Sequence, residues 1–166
     1  HDPDSGRESW RWEFTPHDRK VWQRSVSSMT VRGNTIFVPR PKFRELYALK
    51  PRGTGRIGDS CVAWTLTEKT LDVTVPLCYR DRLYILSGDA KTLSCIEPDT
   101  GRIKWQQRFQ GKQPFRASPT GADGKVYCIN KSGEVFVVEA GDQYKLLAKN
   151  TVKGFPCLST IAVAGG

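Results

Sequence analysis

A repeat with a period of 42 to 47 residues runs through this chain, and it restricts the possible folds more than any other feature. Three β-rich segments carry an aromatic residue in the same setting, at Phe37, Tyr84 and Tyr127, with spacings of 47 and 43 residues. A second apolar segment follows each of them at matching distance: Leu46–Lys50, Leu93–Glu97 and Val135–Glu139. Self-similarity at such a period is typical of solenoids and propellers.

Each repeat has the composition of a four-stranded antiparallel sheet. Asp123-Gly124 is a tight hairpin turn sequence, and Gly133 supplies a turn before the third segment. An Asp99–Gly101 turn then leads into a fourth segment, whose end is marked by Trp105. No segment shows a sustained period of 3.6 residues, so helices are not expected. Four strands per repeat at this period predict an all-β fold made of β-propeller blades.

The repeats divide the chain into units of one partial propeller domain, with about three full blades and partial blades at both ends. The predicted units are 1–24, 25–68, 72–110, 114–150 and 156–166. The 166 residues correspond to about four blades, which is small for a propeller. We therefore expect an incomplete arc of a larger ring, which is less stable alone than its size indicates or associates through its open edges.

The first full unit is longer than the others. Trp10 and Trp64 are 54 residues apart, whereas Trp64 and Trp105 are 41 apart. The excess falls near 51–58, a Gly-rich and basic stretch that predicts a flexible hairpin projecting as a surface loop. Its two arginines, Arg52 and Arg56, are the predicted partner-binding residues.

The segments Leu83–Leu86, Leu93–Trp105 and Ala117–Tyr127 resemble the repeats of the PQQ-like β-propeller family. The shared motif is a Tyr strand, an Asp-x-x-Thr-Gly-x-x-x-Trp turn and strand, and then Ser-Pro. The resemblance covers nearly the whole chain, and Ser5-Gly6 before Trp10 is a second copy of the turn. It implies that the motif Gly makes the turn and that the Trp docks between neighbouring blades.

The same resemblance implies two kinds of function. The family includes quinoprotein alcohol and sugar dehydrogenases, which hold pyrroloquinoline quinone (PQQ) and Ca²⁺, and also non-enzymatic propellers of outer-membrane assembly. This chain has no adjacent Cys pair and no Asp/Glu/Asn cluster outside turns that resembles a Ca²⁺ site. It is therefore interpreted as a non-catalytic scaffold without a cofactor, and the alternative is part of a PQQ- and calcium-dependent dehydrogenase.

The resemblance also implies a setting for the scaffold. We expect a secreted or periplasmic bacterial protein whose partners are another protein and the remaining blades of the same propeller. No apolar run approaches the roughly 20 residues that span a bilayer, and no leader peptide is visible.

Net charge leaves one further alternative open. Lys and Arg exceed Asp and Glu by +9, and a basic face with nearby aromatics (Trp22, Phe43 and Tyr47) would suit a polyanion through salt-dependent contacts. The competing interpretation is that these side chains solubilise the blades and discourage edge pairing. The basic residues form three clusters: Arg19, Lys20 and Arg24; Arg32, Arg40, Lys42 and Arg44; and Lys50, Arg52 and Arg56.

Other chemistry has little support in the sequence. The five Cys form no C-x-x-C pair, which excludes a zinc ribbon, and Cys78, Cys95 and Cys128 lie in apolar segments that predict buried free thiols. A disulfide or a reactive thiol remains open as an alternative. His1 and His17 lie in polar surroundings typical of solvated loops. Neither a nucleophile elbow nor a phosphate-binding loop is present.

Overall fold

The computed structural model describes residues 1–13, 26–40, 44–68, 71–154 and 156–164. Within these residues the regular structure is fourteen strands and one short 3₁₀ turn, Asp59–Cys61. The strands are β1 (Trp10–Trp12), β2 (Thr30–Arg32), β3 (Thr35–Arg40), β4 (Glu45–Leu49), β5 (Gly55–Ile57), β6 (Val62–Leu66), β7 (Leu77–Tyr79), β8 (Arg82–Ser87), β9 (Thr92–Ile96), β10 (Ile103–Arg108), β11 (Thr120–Ala122), β12 (Lys125–Ile129), β13 (Glu134–Glu139) and β14 (Leu146–Thr151).

Twelve strands form three antiparallel sheets of four strands each. Their orders are β2-β3-β4-β6, β7-β8-β9-β10 and β11-β12-β13-β14. The short first strands of neighbouring sheets contact one another, β2 against β7 and β7 against β11, so these strands form the inner side of the arrangement. The predicted all-β fold of propeller blades is confirmed.

The register of the sheets explains the aromatic repeat. In every sheet the aromatic lies opposite the third residue of the following segment: Phe37 with Ala48, Tyr84 with Cys95, and Tyr127 with Val137. Phe37 and Tyr84 are completely buried, and Tyr127 is partly buried. Because side chains alternate between the two faces of a strand, this shared register presents equivalent faces to the neighbouring blade.

Apolar packing between the sheets forms the core. Between the second and third sheets, Phe109 stacks on Phe136 with ring centroids 4.5 Å apart, and Phe115 packs on both. Between the first and second sheets, Phe37 and Leu83 belong to one buried cluster. Each fully buried side chain of this kind contributes about 1.5–3 kcal/mol, so face-to-face contact between blades is the main source of stability.

Polar contacts between the inner segments repeat along with the sheets. The Val75 N–H donates to Ser118 Oγ at 2.9 Å, and the Ser118 N–H donates to Thr160 Oγ1 at 3.2 Å. In the same way Thr120 Oγ1 donates to the Ile161 carbonyl at 2.7 Å. Residues 156–164 thus lie against β11 much as β11 lies against β7.

Tryptophans join the outer parts of neighbouring blades, as the family resemblance implies. Trp64 Nε1 donates to the Pro98 carbonyl in the second blade at 2.9 Å, and Trp105 Nε1 donates to the Gly141 carbonyl in the third blade at 2.9 Å. The Trp105 ring also contacts Tyr144 in an edge-on arrangement. The first and second blades therefore each place one indole against the third-to-fourth-strand connection of the next blade.

Replacing Trp105 with phenylalanine is expected to destabilise the protein by about 1–2 kcal/mol, because the ring remains apolar but the hydrogen bond to Gly141 is lost. Urea unfolding followed by fluorescence measures the change. Gln107→Ala is the matched control, since Gln107 is an exposed residue of the same strand. Equal stability losses for the two variants would contradict the docking role of Trp105.

The segment 51–58 does not form the predicted hairpin, although its residues 52–56 are exposed at the surface, as predicted. Its central residues form β5, which pairs in parallel with β1 in the register Trp10↔Gly55 and Trp12↔Ile57. Ile57 and Cys61 are buried in one cluster with these two tryptophans packed against it. The burial of Ile57 explains why the segment folds back along β1, while the positive φ angles of Gly53 and Gly55 allow the chain to turn.

Candidate functional site

A cleft with a volume of about 490 Å³ lies beside β5. Its polar and glycine lining residues are Lys50, Arg52, Thr54, Arg56, Gly58 and Ser60, and we call it the cationic cleft. Both predicted partner-binding residues, Arg52 and Arg56, line it. The structure adds Lys50, which the sequence had grouped with them only as a neighbour in a basic cluster. No carboxylate lines the cleft among the described residues.

Backbone hydrogen bonds hold the cleft in place. The extra segment 51–60 of the first blade is called the insertion. The Lys50 N–H donates to the Cys61 carbonyl at 2.8 Å, which ties the two ends of the insertion together. The Gly55 N–H donates to the Ser9 carbonyl at 2.9 Å and starts the pairing of β5 with β1. At the end of β1, Trp12 Nε1 donates to Asp59 Oδ1 at 3.1 Å. The insertion is thus anchored at its ends and along its central strand.

The cations of the cleft are largely available to a ligand. Arg56 forms an ion pair with Glu13 at 3.1 Å, but 72% of its side chain is exposed, so the pair contributes little stability. Lys50 and Arg52 have no carboxylate within 4.0 Å among the residues that the structure describes. Positive charge in the cleft is therefore only partly balanced, and an anionic group could bind there.

The one thiol in the cleft, that of Cys61, is buried and disfavoured as a thiolate. Cys61 is 7% exposed, and burial raises the pKa of its thiol. Burial likewise raises the pKa of Cys78 and of Cys95 to about 11. All five cysteines are free thiols in the structure, and Cys128 is buried as well. In Cys61, Cys78 and Cys95 the protonated thiol, which is a weak nucleophile, therefore predominates at neutral pH.

The other predicted basic residues are placed differently. Arg32 forms ion pairs with Asp81 and Asp99 of the second blade, at 3.1 and 3.5 Å. Arg40 is buried and pairs with Glu45 at 2.9 Å. Arg44 is exposed. Arg19, Lys20, Arg24 and Lys42 lie outside the described residues, as do His17, Trp22 and Phe43.

Tyr47 does not face the cleft as a stacking platform. Its ring packs on Trp12 with centroids 5.2 Å apart, and its hydroxyl donates to Glu45 Oε2 at 2.8 Å. The structure therefore does not support Tyr47 as a residue on which a base or sugar stacks.

The family resemblance implies Ca²⁺ in the dehydrogenases, and a Ca²⁺ site needs a cluster of oxygen ligands. No group of three or more His, Cys, Asp or Glu residues that could hold a metal ion occurs among the described residues. His1 Nδ1 lies 3.1 Å from the Gly6 carbonyl oxygen in the first turn. The described residues therefore do not fit a Ca²⁺ site of the dehydrogenase kind. They also include no helix with the length and hydrophobicity needed to cross a bilayer.

Comparison with known proteins places this geometry in a family. Residues 1–150 match the family model for the outer membrane protein assembly factor BamB, one of the PQQ-like propellers. The chain belongs to this family. No curated protein sequence matches it significantly.

Solved propeller structures share the fold at low sequence identity. BamB from Moraxella catarrhalis superposes with a TM-score of 0.62 and 13% identity over 85% of this chain and 39% of that one. A europium-containing methanol dehydrogenase superposes with a TM-score of 0.59 and 14% identity, over 82% of this chain and 27% of that one. Quinohemoprotein alcohol dehydrogenase ADHIIG from Pseudomonas putida HK5 superposes with a TM-score of 0.59 and 17% identity, over 81% of this chain and 21% of that one. The chain thus spans two fifths or less of these relatives, which include an assembly factor and two dehydrogenases.

Proposed function

We propose that this chain is a non-catalytic binding scaffold of the PQQ-like propeller type and that Arg52 and Arg56 contact its partner. The partner is a protein, and the remaining blades belong to the same propeller in a secreted or periplasmic bacterial protein. The observation that carries the proposal is the cationic cleft, which brings Lys50, Arg52 and Arg56 together on the exposed extra segment of a repeat scaffold. Loops on such scaffolds are the usual sites of recognition.

The match to the BamB family model over residues 1–150 supports a scaffold. The lack of a metal-binding group among the described residues weighs against a resident calcium site in this part of the protein. The alternative is part of a quinoprotein alcohol or sugar dehydrogenase, to which the dehydrogenase neighbours give their support. A polyanion-binding module is the other alternative, because the cleft carries three cations. Retention on heparin at physiological salt tests this alternative.

The scaffold is expected to show no alcohol oxidation when PQQ and Ca²⁺ are added to the protein with an artificial electron-accepting dye. Its melting temperature is expected to stay unchanged when a chelator removes Ca²⁺, because no described group would release the ion. Dye reduction that depends on PQQ, or a lower melting temperature on chelation, would defeat the scaffold and favour the dehydrogenase. Glucose as a second substrate extends the assay to sugar oxidation.

A further inference from the structure

One edge of β5 is free. The bond from the Gly55 N–H to Ser9, together with the parallel register, turns the backbone N–H and C=O groups of Gly55 and Ile57 toward β1. Because these groups alternate along a strand, Arg56 turns its own N–H and C=O away from β1. In the described part of the chain β5 pairs with no strand except β1. Its outer edge therefore presents the backbone N–H and C=O of Arg56, which no strand in the described part of the chain pairs.

The free edge and the cationic cleft coincide. Arg56, the residue of β5 whose backbone groups face away from β1, lines the cleft and is exposed. The exposed residues Thr54 and Gly58 line the cleft on either side of β5. The volume of about 490 Å³ lies within the usual range of ligand-binding sites.

The charges select the kind of strand that can bind at this edge. A second copy of the segment 51–58 would bring its own Arg52 and Arg56 against those already present, and like charges across paired strands are destabilising. Basic residues on an edge thus protect it from self-association. An acidic strand meets the opposite condition, since its carboxylates would balance Lys50 and the two arginines.

We propose that the outer edge of β5 accepts an extended acidic segment of a partner protein. The segment adds to the sheet as a strand, with backbone hydrogen bonds to Arg56 and its carboxylates against Lys50, Arg52 and Arg56. The inference rests on the proposed scaffold function and names the chemistry of the partner. Glu13, which now pairs with Arg56, is the group that an incoming carboxylate displaces.

A fluorescein-labelled peptide of alternating glutamate and threonine tests this inference, because the alternation places all carboxylates on one face of an extended strand. Fluorescence anisotropy with the whole chain is expected to show saturable binding that weakens as salt is added. An analogue with glutamine in place of glutamate is expected to bind about tenfold more weakly or worse. An analogue with N-methylated alternate residues keeps the charge but cannot pair as a strand, and it too is expected to bind at least about tenfold more weakly.

Paired variants locate the binding site. Arg52→Gln with Arg56→Gln is expected to raise Kd for the acidic peptide about tenfold or more. Arg102→Gln with Lys145→Gln is the matched control, because these exposed cations each pair with one carboxylate and lie outside the cleft. The control is expected to leave Kd unchanged.

Several results would overturn the inference. If the N-methylated peptide binds as tightly as the unmethylated one, charge attraction alone explains binding. If both paired variants lose the same affinity for the acidic peptide, the net charge of the protein alone explains it. Heparin binding that depends on Arg52 and Arg56 without peptide binding would point to a polyanion instead. If the acidic peptide does not bind and no PQQ-dependent alcohol oxidation occurs, strand addition is rejected but the scaffold function is not. PQQ-dependent alcohol oxidation would reject the scaffold function itself.

Discussion

Replacing Gly101 with alanine is expected to destabilise the protein by about 3 kcal/mol, whereas the same replacement at Gly6 is expected to cost only about 1 kcal/mol. The two glycines occupy copies of one turn. The Gly101 N–H donates to the Glu97 carbonyl and the Gly6 N–H to the Asp2 carbonyl, both at 2.9 Å. Their φ angles are +75° and +68°, so alanine meets nearly the same backbone strain at both positions.

The difference between them lies in what covers the turn. A Cβ at Gly101 would lie 2.7 Å from Cδ2 of Trp64, the indole that docks from the first blade, whereas a Cβ at Gly6 would meet nothing within 4 Å. The extra loss at Gly101 is therefore the overpacking of one inter-blade contact.

Urea unfolding of both alanine variants measures the difference. A double-mutant cycle with Trp64→Ala assigns it, because Gly101→Ala should cost about 1 kcal/mol once the indole is absent. The wild-type background and the Trp64→Ala background give a direct comparison. Equal losses of stability for Gly6→Ala and Gly101→Ala would contradict the assignment. A cost of Gly101→Ala that is the same in the Trp64→Ala background as in the wild type would contradict it as well.

The sheets were predictable because their signal is local and periodic. Phe37, Tyr84 and Tyr127 mark the same register position, and hairpin turns between adjacent strands leave little freedom in how the strands pair. The resemblance to the PQQ-like family also anticipated the docking of Trp105, which the hydrogen bond to Gly141 bears out.

The insertion was not predictable in the same way. β5 has three residues, two of which are buried or glycine, and its partner β1 lies 45 residues earlier in the register Trp10↔Gly55. No local alternation of side chains marks such a pairing, and Gly53 and Gly55 are equally typical of a flexible loop. The apolar Ile57 between polar neighbours was the only signal of burial.

The site was predictable only as a composition. Arg52 and Arg56 stand out in the sequence as cations of an extra segment, and their role in partner binding stays a prediction. The cleft itself depends on the bond between Lys50 and Cys61 and on the free edge of β5. The position of β5 follows from its non-local pairing with β1, which explains why the sequence did not show the cleft.

Acid is expected to remove about 3 kcal/mol of stability through one buried carboxylate at the start of β13. Glu134 is 6% exposed, and its carboxylate accepts hydrogen bonds from Lys149 Nζ, the Lys112 N–H and Asn130 Nδ2, each at 2.7 Å. These contacts, that of Lys149 foremost, lower the pKa of Glu134 from 4.5 to about 2. Because the folded-state pKa lies below the unfolded one, the stabilisation is complete above pH 4.5 and is lost as the pH falls toward 2.

Glu134→Gln separates this contribution from general acid unfolding. At neutral pH the variant is expected to be about 3 kcal/mol less stable than the wild type, since the ionised carboxylate is absent. As the pH falls from about 5 to 3, the gap is expected to narrow, because unfolding of the wild type then takes up a proton at Glu134, whereas the glutamine variant has no carboxylate to protonate. Glu139→Gln at the other end of β13 is the control: its pair with Lys145 is exposed, so the variant should stay within about 0.5 kcal/mol of the wild type at every pH. A gap for Glu134→Gln that stays constant over this range would mean that the carboxylate acts through packing and not through its charge.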